Sequence, residues 1–411
     1  MVLGTRIMDS VYSTSYSAFS RKLSFFLCGV YACICDLIII PKFISLACLL
    51  PILYKIIVYI SKNESFSLKG KHFISWFGLF LLFVCLSCLW SPNSLDFSPR
   101  DTENTIFVYK RMLNPFLLTI LFFQLKPGYK DITTTLNGLL FGTFLGCFIT
   151  MIAEKNLVGI ARLGNLTYGA CPTFGNVAAL GAALSFYFTQ VKKRKTLYLS
   201  LFLFFLLVIF LSGSRQALAC ILACTITMLF LRKNINFLTI IKSSVLTSLI
   251  IVPVICASLE INILYEIIGY RIEEFLAGSD GSNLERGVMR SYAIDLFLQN
   301  PIAGVGIHGF AVLFGQYYGW RVWSHCGYTE ILSCYGIVGF ILFYRYFFFG
   351  FKAAFSLMKK KRRLGAFFVS FLINAILFDF FYVIFLDTRT IFLMGAISLS
   401  NFLEGTESNA R

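Results

Sequence analysis

The sequence predicts an all-α, polytopic membrane protein, and three observations predict it. Hydrophobic residues fill 58% of the 411 positions and charged residues only 14%, against roughly half and roughly a quarter in a soluble domain. Twelve apolar stretches approach the length of about 20 residues that a helix needs to cross a bilayer. Lys and Arg, which bring the formal net charge to +16, gather in short runs between those stretches. That distribution belongs to loops facing the cytoplasm. The basic excess therefore speaks of topology, and nucleic acid is not expected as a partner.

In order, the predicted spans are Leu23–Ile40, Ile44–Ile60, Phe73–Trp90, Met112–Leu125, Leu136–Ala153, Pro172–Gln190, Leu197–Ser212, Gln216–Leu231, Phe237–Ser258, Thr329–Gly350, Gly365–Leu386 and Ile391–Leu403. One orientation satisfies every connection. With the N-terminus inside, Lys62, Lys69 and Lys71, then Lys126 and Lys130, then Lys192 to Lys195, then Arg232 and Lys233, then Lys359 to Arg363 all face the cytoplasm. The other side receives Ser91 to Arg111, Glu154 to Ala170, the tight Gly213-Ser214-Arg215 connection, Leu259 to Tyr328, and Asp387 to Arg389. The organisation is thus a cytoplasmic N-terminus (1–22), helices 1 to 9 (23–258), a long outer segment (259–328), helices 10 to 12 (329–403) and a cytoplasmic tail (404–411).

The outer segment between helices 9 and 10 is far longer than the two to six residues of an ordinary connection. Leu284, Val288, Met289, Tyr292, Ile294 and Leu296 to Leu298 recur near helical spacing until Asn300-Pro301 ends the run, which predicts a helix at the outer membrane surface. The 13 cysteines fall mostly within apolar runs and read as small buried hydrophobes without disulfide or zinc spacing. No metal site or cofactor is expected. The polar N-terminus enters apolar sequence without a cleavage site, so no removable signal peptide is expected.

Four polar clusters on the outer side could carry chemistry. Arg215 stands between two spans in Leu211-Ser212-Gly213-Ser214-Arg215; a guanidinium at the hydrocarbon edge is costly unless paired, which suggests a bound anion, although snorkelling to headgroups would also place it there. Arg286 and Arg290 lie four apart on one helix face, and two converging guanidiniums suit a diphosphate, a solvated helix face being the plainer reading. The glycines of Asn300-Pro301-Ile302-Ala303-Gly304-Val305-Gly306 follow no strand, so a tight turn is expected there and not a dinucleotide loop. In Ser324-His325-Cys326-Gly327-Tyr328-Thr329-Glu330, His325 and Glu330 stand at the mouth of a span, with His308 upstream. An imidazole and a carboxylate at a water–lipid boundary suit proton transfer, and a helix-capping histidine is the alternative.

Together these residues resemble the shared domain of O-antigen polymerases and O-antigen ligases. The resemblance runs from Arg290 through Asn300 to Gly306, Ser324-His325 with Tyr328 and Glu330, and Tyr335-Gly336-Ile337-Val338-Gly339. Ser212-Gly213-Ser214-Arg215 is similar to the family's arginine element, and Arg162-Leu163-Gly164 with Phe174-Gly175-Asn176 is similar to its outer-loop element. The resemblance covers roughly residues 160 to 350 and implies inverting transfer of a glycan from undecaprenyl diphosphate to a sugar hydroxyl. It implies this at the periplasmic face of the bacterial inner membrane, without metal or nucleotide. On that basis His325 and Glu330 are the expected catalytic pair, Arg215, Arg286 and Arg290 the diphosphate ligands, and Arg162, His308 and Tyr328 further substrate contacts. Cys326-Gly327 after His325 departs from the ligase pattern and favours the polymerase branch, which would work with a chain-length regulator. A ligase moving finished polymer to lipid A core is the sibling reading. A lipid-linked oligosaccharide transporter is the non-enzymatic one, disfavoured because the polar interest gathers on one side.

Overall fold

Inside a bilayer no water is present to satisfy backbone amides, and a helix pairs its interior N–H and C=O groups within one segment. A computed structural model describes residues 19–61, 71–92, 105–157, 162–231 and 281–399, with isolated positions 265, 269, 273 and 277. Among the described residues all regular structure is helical. A helix over 19–34 (α1) is followed by α2 (Lys42–Ala47), α3 (Leu50–Ser61), α4 (Lys71–Leu86), α5 (Thr105–Gln124), α6 (Tyr129–Ala153), the single turn α7 (Asn165–Tyr168) and α8 (Cys171–Val191). Then come α9 (Lys195–Ser212), α10 (Arg215–Phe230), α11 (Gly281–Gln299), α12 (Gly309–Tyr318), α13 (Gly327–Lys360), α14 (Arg362–Asp379) and α15 (Thr388–Ser398).

The expected spans other than the ninth overlap helices without all matching them: the first helix ends at Ile34, short of the expected Ile40, and residues 400–403 of the last span, the ninth span Phe237–Ser258, both termini and most of 259–280 lie outside the described residues. Among the described residues, four helices are long and apolar enough to cross a membrane on their own: Lys71–Leu89, Tyr129–Ala153, Lys195–Ser212 and Gly327–Lys360. Others depart from the expected outline. The stretch expected as Ile44–Ile60 is divided into α2 and α3, with Pro51 in the first turn of the second. The stretch expected to run unbroken to Leu386 instead ends as α14 at Asp379, followed by a turn and a single 3₁₀ turn, Ile384–Leu386. The helix expected before Asn300 is present as α11.

The two ends of the bundle differ in chemistry. At one end the basic connections meet: Arg21 donates to the Lys126 carbonyl (3.0 Å) and to Asp131 (2.8 Å), Lys361 sits over the Tyr129 ring (5.6 Å), Arg362 donates to the Leu231 carbonyl (2.9 Å), and Arg363 donates to that of Gln190. At the other end lie the connections that carry the motifs. There Asp36 pairs with Arg111 (2.6 Å) and accepts from Thr388 (3.4 Å), and Asp387 pairs with Arg389, each 2% exposed or less. Asp387 also caps α15 by accepting from the Thr390 amide (2.9 Å) and hydroxyl (2.6 Å). Charges this deeply buried require such partners, and removing one partner of a buried pair costs about 3–5 kcal/mol.

A backbone joint fixes the motif-bearing end. α13 is two helical segments joined at a kink, where the chain leaves its helical path at Gly336 (φ 61°, ψ −164°), a conformation open to glycine and strained for other residues. The Asn300-to-Gly306 turn docks into this break through four main-chain hydrogen bonds: Val305 N–H to Ser333 O (2.9 Å), Gly306 N–H to Cys334 O (2.8 Å), Ile337 N–H to Pro301 O (2.8 Å) and Val338 N–H to Ile302 O (3.2 Å). Gly304 and Gly306 also have positive φ, and a methyl on Gly304 would run into the Cys334–Tyr335 backbone. The end of α4 completes the joint, with Ser91 donating to the Ile307 carbonyl (2.7 Å) and Ile307 N–H donating to Ser87 Oγ (3.0 Å). Gly336→Ala should lower the melting temperature of the detergent-solubilised protein by several degrees. A left-handed residue with a Cβ costs about 1–2 kcal/mol, and its methyl would meet the Ile302 carbonyl. An unaltered midpoint in a fluorescence-monitored melt would show that the joint contributes little.

Candidate active site

The joint sets the end of α11 against the start of α13, and that places the first group of expected site residues. Arg286 and Arg290 are one turn apart on α11, both half-buried. Arg290 Nη2 donates to the Phe380 carbonyl (2.9 Å) in the turn that follows α14. His325 precedes α13 in a left-handed conformation (φ 53°). Its loop is held on all sides: Ser324 N–H donates to Glu330 (2.8 Å), Ser324 Oγ to the Cys326 carbonyl (2.9 Å), Gly327 N–H to the Tyr382 carbonyl (3.0 Å) and Tyr328 OH to the Ile376 carbonyl (2.9 Å). Gly327 lies so close to Asp379 that any side chain there would collide with its carboxylate. Asp379 in turn accepts from the Ile384 amide (3.1 Å), closing the turn whose carbonyls face Arg290 and Gly327.

Burial, and then the Arg286 and Arg290 guanidiniums, lower the His325 pKa to about 4. Both effects disfavour imidazolium. At neutral pH the ring is therefore uncharged and able to accept a proton. No hydrogen bond occupies it among the described residues.

Glu330 and His308 are placed differently. Glu330 is 1% exposed, and its carboxylate receives the Ser324 amide and the Cys334 thiol (3.6 Å), which suits it to shaping the His325 loop. His308, also 1% exposed, sits at the entry to α12 with positive φ and packs on Trp323 (ring centroids 5.1 Å).

A second group forms around α9 and α10. Gly213, left-handed at φ 59°, ends α9, and the next residue, Ser214, caps α10 by accepting from the Ala217 amide (3.4 Å). One helix thus stops and the next begins within two residues, which leaves Arg215 on the first turn of α10, where the helix dipole also favours an anion. Arg162 donates to the Ser212 (2.9 Å) and Gly213 (3.2 Å) carbonyls at the C-terminus of α9. It is positioned by Glu154, a 1% exposed carboxylate that gathers the amides of Gly164 (2.6 Å), Leu166 (3.1 Å) and Thr167 (2.9 Å). The two groups are linked through α14: α10 packs along it, and the turn after it receives Arg290 and Gly327.

The structure therefore brings Arg286, Arg290 and His325 together, sets Arg162 against the turn that precedes Arg215, and buries His308 and Glu330. The residues that sequence reasoning missed are the carboxylates that hold this arrangement, Glu154, Asp379 and Asp387, together with Arg389. Their signal was faint but present, because each is a charge at the edge of an apolar run, where it is expensive unless it has work to do.

The described residues thus form a helical bundle with apolar helices suited to lipid, and guanidiniums and an imidazole gather at the end opposite its basic connections. Residues 199–344, about a third of the chain, match the family described as O-antigen ligase, which supports the resemblance to the O-antigen ligase and polymerase superfamily. That superfamily comprises inner-membrane, glycosyltransferase-like enzymes acting on lipid-linked polysaccharide. The matched stretch contains Arg215, Arg286, Arg290, His325, His308, Tyr328 and Glu330, and Arg162 precedes it. No curated protein matches the chain.

With three histidines in the whole chain, His325 can be followed directly. In ¹⁵N-histidine spectra of the detergent-solubilised protein its ring should remain neutral until the pH falls to about 4. Arg290→Ala should move that transition upward, since it removes a neighbouring positive charge. A ring titrating at its ordinary value in both proteins would contradict the geometry described.

Proposed function

We propose that this protein is the polymerase of a bacterial surface polysaccharide, transferring a growing glycan from undecaprenyl diphosphate to the sugar of another lipid-linked repeat unit at the periplasmic face. The observation that carries this reading is the meeting of Arg286, Arg290 and His325 at the end opposite the basic connections. In the proposed step an acceptor hydroxyl attacks the anomeric carbon and its proton passes to the neutral His325 ring. The bond from that carbon to the diphosphate oxygen breaks, and the leaving group departs with the electron pair. Arg286 and Arg290, with Arg215 as a further cation, stabilise the charge that develops on the diphosphate. One displacement inverts the anomeric centre.

The low pKa of His325 makes it a weak base in the empty site. An anionic diphosphate against Arg286 and Arg290 offsets the charge that depresses it, so the base strengthens when the donor is in place. Glu330 serves this reading as the residue that shapes the His325 loop. Arg162 serves it by supporting the turn before Arg215.

The second reading is a ligase delivering finished polymer to lipid A core, which the family match supports equally. Lipopolysaccharide gels of a deletion strain separate the two: cores capped with a single repeat indicate the polymerase, whereas naked cores beside carrier-linked polymer indicate the ligase. For either, His325→Ala and Arg290→Ala should each reduce transfer by at least about 10²-fold while membrane levels stay normal. Transfer at the unaltered rate would remove the enzymatic reading. The proposed orientation places Lys193 inside and Gly281 outside. An epitope inserted at Gly281 should bind antibody in intact spheroplasts and one inserted at Lys193 should not; the reverse pattern would overturn the orientation.

A further inference from the structure

Beside the arginine and histidine site, α11 and α12 enclose a second feature that the transfer step does not use. It is an open cleft of about 390 Å³, lined by Tyr292, Asp295, Leu298, Gln299, Tyr317 and Tyr318. Its size is that of a small-ligand site, about 300–1,000 Å³. We infer that this cleft binds sugars of the glycan chain remote from the bond being made, forming a polysaccharide subsite on the flank of α11. The inference rests on the proposed transfer reaction, which supplies the glycan.

The lining argues for a carbohydrate. Tyr292 is held in place by its hydroxyl, which donates to the Leu313 carbonyl (3.3 Å), and it stacks on Tyr317 (centroids 5.7 Å, planes 27° apart). Tyr318 stacks on Phe314 at 4.4 Å, and Trp320 meets the same ring edge-on at 5.5 Å. Tyr317 is nonetheless 73% exposed, and Trp320 46%. Fixed aromatic faces left open to solvent offer apolar area at little entropic cost, and a tyrosine hydroxyl can hydrogen-bond to sugar. Asp295 and Gln299 add a carboxylate and an amide, and neither has a partner among the described residues. Exposed tyrosines and tryptophan also mark a membrane interface. An anionic lipid surface is poorly matched to the Asp295 carboxylate, which makes no ion pair among the described residues, whereas sugar hydroxyls would donate to it.

Placement supports the assignment. From Arg290 to Gln299 is nine helical steps, about 14 Å, so the cleft and the site share one rigid element. At about 100° per residue, Arg286 and Arg290 lie to one side of the buried line Met289, Ala293 and Leu296, and Tyr292 and Gln299 lie to the other. The reacting sugar cannot occupy both flanks. A chain several sugars long can.

The test uses the full chain in neutral-lipid nanodiscs and, as probe, a phosphate-free oligosaccharide of several repeat units cut from the producing cell's own surface polysaccharide. Saturation-transfer NMR should show saturable binding that excess undecaprenyl diphosphate does not displace. Tyr317→Ala and Asp295→Ala should each weaken it about tenfold, the loss expected for one good contact to a charged or hot-spot group, with melting temperatures unchanged. Absence of saturable binding, displacement by undecaprenyl diphosphate, or unaltered affinity in both variants overturns the subsite. Release of the oligosaccharide by phosphatidylglycerol vesicles also overturns it and assigns the tyrosines to lipid. Failure of the subsite leaves binding of undecaprenyl diphosphate by the unaltered chain intact, whereas failure of the transfer reading removes that binding as well.

Discussion

Four main-chain hydrogen bonds between the Asn300-to-Gly306 turn and the break at Gly336 hold the working end of the molecule together. They tie the end of α11, which bears both arginines, to the start of α13, which follows the histidine. Because the bonding groups are backbone, the two segments must approach more closely than side chains would allow, and glycine is what permits that approach. The second support is the turn after α14, whose Phe380 and Tyr382 carbonyls face Arg290 and Gly327 from the opposite side. Arg290 and His325 are thus set by contacts to three separate elements, as a site needs if its geometry is to survive thermal motion.

Lipid explains why chemistry collects at the ends. A lone charge in hydrocarbon costs several kcal/mol, and two carboxylate–guanidinium pairs lie between the apolar faces, Asp36 with Arg111 and Asp387 with Arg389, while Glu154, Glu330 and Asp379 take hydrogen-bond donors instead. Elsewhere the cations divide into two populations. The lysine- and arginine-rich connections meet at one end, where they bind helix C-terminal carbonyls such as Leu231 and Gln190. The arginines beside His325 belong to the other. Electrostatic sorting of this kind separates the basic connections from the arginines that the proposed transfer uses.

Much of this could be read from residues alone. Apolar length and basic connections located the helices, and the spacing before Asn300 located α11. The spacing of Arg286 and Arg290 placed them on one face. The break inside the stretch expected as Gly365–Leu386 could not be read, because Phe380 through Leu386 is apolar apart from its tyrosine hydroxyl, and hydropathy does not distinguish a helix from a turn. Glu330 was expected to react because it follows His325 at close spacing; in the fold its carboxylate folds back to the Ser324 amide, a loop contact with no periodic signature. Glu154 escaped for the same reason, since its partners are amides 10 to 13 residues away. The glycine motifs were legible as turns, but their mutual docking was not, because backbone pairing between distant segments leaves no trace in side-chain pattern.

The cysteines carry a last consequence. Among the described residues all twelve are free thiols, and Cys171, Cys326 and Cys334, which lie with the motifs, are buried. No covalent staple secures the motif-bearing end among those residues, where glycine packing and carboxylate clamps hold the chain. Buried among helices, these thiols act as small apolar side chains, and the packing around the motifs does not depend on sulfur–sulfur bonds among the described residues.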